Sequence, residues 1–94
     1  MRIRYTLRAQ PDLEAIFAYL EQLSPARAKP VKDEVRRRVT RLGDFPLMGP
    51  ATDEPGVREL TLTRHPYKVY YEIHGDEIWV LHVRHARRRP WDFR

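Results

Sequence analysis

The chain has no cysteine among its 94 residues, which excludes a disulfide framework and any thiolate metal site. Histidine is scarce too, and His65, His74, His82 and His85 do not fall at ligand spacing, so neither a metal nor a cofactor is expected. No apolar run approaches the length of a membrane span. The opening "MRIRYTLRAQ" alternates charged and apolar residues and lacks the apolar stretch of a signal peptide. These absences predict a soluble, cytoplasmic protein. No repeat, low-complexity tract or linker divides the chain, and its length leaves no room for a second core. One domain over 1–94 is expected. Lysine is nearly absent, represented by Lys29, Lys32 and Lys68 alone, so arginine carries most of the positive charge.

What is present suffices for a core: 41% of residues are hydrophobic and 33% charged. The net charge of +5 and a sequence pI near 10.0 favour acidic partners, either nucleic acid or an acidic protein segment.

Residues 2–7 alternate, with Ile3, Tyr5 and Leu7 in one phase, which predicts a strand with one buried face. In "PDLEAIFAYLEQL", Leu13, Ile16, Phe17, Leu20 and Leu23 form a helical stripe over about 11–23, with Pro11 suited to a first helical position. Ser24 and Pro25 offer a second helix start. Ala28, Val31, Val35, Val39 and Leu42 then continue a stripe over about 25–42, where Pro30 predicts a kink or a late start. Lys32, Arg36, Arg37 and Arg41 mark the solvated side of that helix. The stretch 44–56, rich in proline and glycine, is a loop, and its Phe45, Leu47 and Met48 predict that part of it folds back over the core.

Three strands close the chain, at 57–62, 67–74 and 77–85, the last two joined by the hairpin signal Gly75-Asp76. In the final strand both phases are apolar, with Ile78 and Val80 in one and Trp79, Leu81 and Val83 in the other. That places it inside the sheet. The fold class expected is α+β, in the order β-α-α-β-β-β: an antiparallel-rich four-stranded sheet with a helical hairpin on one face. The strand end "VRHARRR" therefore emerges in the middle of the surface, a fixed platform on which side chains can converge.

Five stretches carry a resemblance across the whole chain, in order: "PDLEAIFAYL" (11–20), "RRRVTRLGDFPLMG" (36–49), "GVREL" (56–60), "YKVYYEI" (67–73) and "VLHVRHARR" (80–88). Together they resemble the RelE/ParE superfamily of bacterial type II toxin–antitoxin toxins. The resemblance implies the fold above and a cognate antitoxin that wraps the toxin, with operator DNA reached only through that antitoxin. It implies one of two activities: cleavage of messenger RNA in the ribosome by RelE-like members, or poisoning of DNA gyrase without hydrolytic chemistry by ParE-like members.

A nuclease needs a base, an acid and cations for the developing phosphate charge. Arg58 and Lys68 are candidates for the phosphate, His85 for the acid, and Glu54 for the base if its loop folds inward. The plainer reading of Arg58 is a cross-strand ion pair with Glu59, Glu72 or Glu77. His82 reads as a packing residue and His65, beside Pro66 in a turn, as surface. Arg84, Arg87, Arg88, Arg89 and Trp91 are candidates for binding target or antitoxin, because crowded like charges carry an electrostatic cost that a partner offsets. The scarcity of lysine and the wording of "DLEAIFAYL" and "REL…YKVYY" favour the ParE-like branch. A basic binding module without toxicity is the third reading.

Overall fold

The computed structural model describes residues 1–88 and Trp91. Six elements follow in the expected order: β1 (Arg2–Tyr5), α1 (Ala9–Leu23), α2 (Pro25–Leu42), β2 (Val57–Thr61), β3 (Tyr67–His74) and β4 (Glu77–His85). The strands make one sheet in the order β1-β4-β3-β2. β4 lies inside it, parallel to β1 and antiparallel to β3. Both helices cover one face and share a core with it, built from Val31, Val35, Val39 and Leu42 of α2 against Val69, Tyr71, Ile78 and Val80. Each such burial contributes about 1.5–3 kcal/mol.

The interior place of β4 was read from its two apolar phases, but those phases have another cause. Tyr70 pairs with His82 while Tyr71 pairs with Val80, so Leu81 is the extra residue of a β-bulge. The bulge switches the strand's phase, and Ile78, Val80 and Val83 all reach the core beneath the helices. Trp79 and Leu81 stay partly exposed on the opposite face.

α1 begins at Ala9, before the Pro11 start expected, and Thr6 answers its first N–H. The Thr6 hydroxyl accepts from the Ala9 N–H at 3.1 Å and donates to the Leu81 carbonyl at 3.2 Å. Pro11 falls in the first turn, where its missing N–H has no intrahelical partner to lose. Leu7 lies in the turn and is 92% exposed, not inward with Ile3 and Tyr5. Thr6→Ala should cost about 0.5–1.5 kcal/mol, the net worth of a hydrogen bond within the fold. An unchanged denaturation midpoint would show that this hydroxyl stabilises nothing.

α2 starts at Pro25 and runs through Pro30 without interruption, so no late start occurs. Pro30 sits in the second turn and leaves the Ala26 carbonyl without its helical donor. Ala26 is exposed, and water can satisfy it. The loop after α2 is tied to β3 by Tyr71, whose hydroxyl donates to the Pro46 carbonyl at 2.7 Å and accepts from the Gly49 N–H at 2.9 Å. Met48 packs on the core as expected, whereas Phe45 and Leu47 remain 54% and 67% exposed. The Arg41 guanidinium lies over the Phe45 ring, 5.1 Å from its centroid. Among the described residues no helix is long and apolar enough to cross a membrane.

Candidate functional site

The end of β4 is shaped by Arg84. Its Nε donates to the Tyr70 hydroxyl at 3.0 Å, and Nη1 reaches the carbonyls of His85 at 3.1 Å, Ala86 at 3.3 Å and Arg88 at 3.1 Å. The Ala86 N–H donates to the Pro66 carbonyl, and the Arg87 N–H donates to His85 Nδ1 at 3.1 Å. The chain is thus turned sharply at 85–88, directly beside the turn that enters β3. Because Nδ1 of His85 accepts, the proton of its neutral ring sits on Nε2.

This turn forms one wall of an open groove of about 690 Å³. Tyr19 and Leu20 of α1 and Ala26, Pro30 and Val31 of α2 supply apolar surface, and Tyr67 and His85 meet edge to face with ring centroids 5.3 Å apart. Arg27 comes from α2, and Arg87 and Arg88 from the turn. Among the described residues no carboxylate lines the groove, and none lies within ion-pair distance of these three arginines. Burial pushes the Tyr67 phenol up, against the pull of Arg88, and keeps it neutral near pH ~7. An apolar floor with cations at its rim that no described carboxylate answers is suited to an apolar side chain flanked by carboxylates or phosphates.

The residues proposed for nuclease chemistry are not gathered there. Lys68 neighbours Tyr67 in β3 and so points to the other face of the sheet, where it pairs with Glu59 at 2.8 Å. Arg58 makes none of the cross-strand ion pairs considered for it. Its Nη1 donates to the Gly49 carbonyl at 2.7 Å and holds the 44–56 loop. Glu54 is exposed on that loop, where its N–H and its carbonyl both contact the Thr52 hydroxyl. Only His85 belongs to the groove. Of the binding candidates, Arg87 and Arg88 line it, and Arg84 is committed to the turn. Trp91 packs against Tyr70 and His82 at ring distances of 5.1 and 4.8 Å, under the Arg8 guanidinium. Arg89 lies outside the described residues.

Two polar pairs hold the groove's walls. His82 is buried, as expected of a packing residue, and its Nδ1 donates to Asp12 of α1 at 2.6 Å. Arg8 Nε lies 3.4 Å from the same nitrogen and 3.9 Å from Asp12. The short contact puts the proton on Nδ1, so Arg8 is held by the carboxylate. His65, read as surface, is instead bonded through Nδ1 to Glu34 of α2 at 2.6 Å. Glu34 is 1% exposed and also accepts from the Thr63 N–H at 2.9 Å, the Thr63 hydroxyl at 3.0 Å and the Arg64 N–H at 3.1 Å. Burial alone would raise this carboxyl. The donors from Arg64, His65 and Thr63 outweigh it and lower its pKa to about 2. A signal for Glu34 was present: it falls three residues after Val31 and next to Val35, on the apolar stripe. Arg27 had none, since charge alone does not mark which arginine faces a groove.

A four-stranded sheet carrying a helical hairpin on one face is the fold of RelE/ParE toxins. A sequence model of the ParE toxin of type II toxin–antitoxin systems matches residues 3–90, and this chain belongs to that family. The chain is 36% identical to Y4kP of Sinorhizobium fredii, a protein named as a toxin, over 94% of this chain and 91% of that one. It is 29% identical to toxin RelE2 of Caulobacter vibrioides, covering 93% and 97% of the two chains. Among solved structures, the chromosomal ParDE system of P. aeruginosa matches with a TM-score of 0.78 at 29% identity, over 93% and 97% of the chains. The E. coli RelBE complex shares the fold, with a TM-score of 0.67 at 14% identity, over 93% and 98% of the chains. The protein is the toxin of a toxin–antitoxin system.

Proposed function

We propose that this toxin acts by binding, on DNA gyrase, and that an acidic cognate antitoxin neutralises it by occupying the basic groove. One observation carries the reading. The groups that RNA cleavage would require are dispersed: Lys68 is paired with Glu59 on the far face, Arg58 is spent on a loop carbonyl, and His85 stands in the groove without them. Arg27, Arg87 and Arg88 stand in the groove with His85, but no carboxylate among the described residues lines it to take the 2′-hydroxyl proton. The groove's arginines, paired with no described carboxylate, and its apolar floor are suited to protein recognition, and the likeness to a ParDE system supports the ParE-like branch. Operator DNA is reached only through the antitoxin.

The test pairs supercoiling by purified gyrase with message cleavage in a translation extract. His85→Gln should leave growth arrest and gyrase inhibition within about twofold of the unsubstituted toxin. A general acid contributes about 10²–10⁴-fold. Loss of message cleavage by a folded His85→Gln protein would therefore replace this reading with a RelE-like nuclease. A protein inert in both assays and harmless on induction would leave only a basic binding module.

A further inference from the structure

Arg84 falls in the arginine cluster that the sequence marks for binding, and its contacts give it a different task. We propose that Arg84 is a positioning residue: it never touches the partner, and it holds the 85–88 turn so that Arg87 and Arg88 face Arg27 across the groove. The inference rests on the reading of that groove as the receptor for an acidic partner.

Three features carry it. The guanidinium spans two strands, with Nε on Tyr70 of β3 and Nη1 shared among the carbonyls of His85, Ala86 and Arg88. Its charge is answered by those oxygens and by the Tyr70 ring, 5.7 Å away, so it is not offered to a ligand. The turn it closes is pinned at the other side by the Ala86 N–H on Pro66, leaving Arg87 and Arg88 exposed and directed to the groove. Only a planar fork reaches a hydroxyl in one direction and several carbonyls in another. A lysine ammonium would keep the charge and lose the geometry. Lysine at this position therefore separates the two roles: a binding cation tolerates it, a clamp does not.

The experiment measures binding of poly-L-glutamate, as an acidic chain, to the full-length toxin at one salt concentration. Arg87→Ala/Arg88→Ala should weaken binding strongly. If it does not, the acidic-partner reading of the groove itself fails, whatever Arg84 does. Arg84→Lys, which keeps net charge, should weaken binding roughly tenfold by freeing two long side chains that the native turn presents ready-ordered. Adding Arg84→Lys to the Arg87→Ala/Arg88→Ala background should change nothing further, because there is nothing left to position. Additive loss in that background, or unchanged binding by Arg84→Lys alone, would overturn the inference. Should Arg84→Lys not fold, Tyr70→Phe removes the Nε acceptor while keeping the ring. It should weaken binding in the parent and not in the double variant, and the same additivity would refute it.

Discussion

Glu34→Gln is expected to lower the unfolding free energy by about 3 kcal/mol near neutral pH, the value of a carboxyl moved from 4.5 to about 2 by folding. For a domain of this size the midpoint of thermal unfolding should drop by roughly 10–20 °C. The carboxylate satisfies two backbone N–H groups, a hydroxyl and an imidazole at the turn between β2 and β3. A carboxamide offers one acceptor and turns two donors toward groups that themselves donate. Buried donors left unmatched each cost about 1–3 kcal/mol. The pH dependence has a definite sign. The folded pKa lies below the unfolded one, so this stabilisation is complete above about pH 4.5 and is lost as pH falls toward about 2. Thermal melts from neutral to acid should therefore show the gap between Glu34→Gln and the parent closing across that window. A gap that stays constant down to the acid limit would mean that the carboxylate's charge is not the stabilising element.

Gly49→Ala should rank next, at about 1–3 kcal/mol or somewhat more, the range of overpacking a filled interior. A Cβ at Gly49 would stand 2.8 Å from Tyr71 Cε1, 2.9 Å from its hydroxyl and 2.9 Å from the Glu59 carbonyl. Two of those atoms belong to a fully buried ring and one to β2 backbone, so none can move aside cheaply. The shift would also strain the Gly49 N–H bond to Tyr71 and the Arg58 bond to the Gly49 carbonyl, which together hold the loop. Gly75→Ala is the matching control. Gly75 has a φ of +59° and open space around it, so its cost of about 1–2 kcal/mol is that of the left-handed backbone alone. Urea midpoints for the two variants decide the matter. A Gly49→Ala protein as stable as the parent would mean that the loop does not pack on Tyr71 in solution.

The sequence by itself determined what repeats locally. Leu13, Ile16, Phe17 and Leu20, then Val31, Val35, Val39 and Leu42, can bury one stripe only as helices. Tyr67, Val69 and Tyr71 can bury one face only as a strand, and Gly75-Asp76 can only turn between strands. The order of elements followed from these signals, and the family from a resemblance carried by five stretches of the chain in order. What depended on distant partners was decided by the tertiary structure. Leu81 becomes a bulge because Tyr70 and Tyr71 pair with residues two apart in β4, which no alternation within β4 announces. Glu34 and His65, Asp12 and His82, and Arg84 with its carbonyls meet because burial makes an unmatched polar group costly, and each takes the donor or acceptor that packing brings near. The arginines look alike in sequence. Only the fold separates Arg84, spent on backbone carbonyls, from Arg27, Arg87 and Arg88, whose charges no described carboxylate answers.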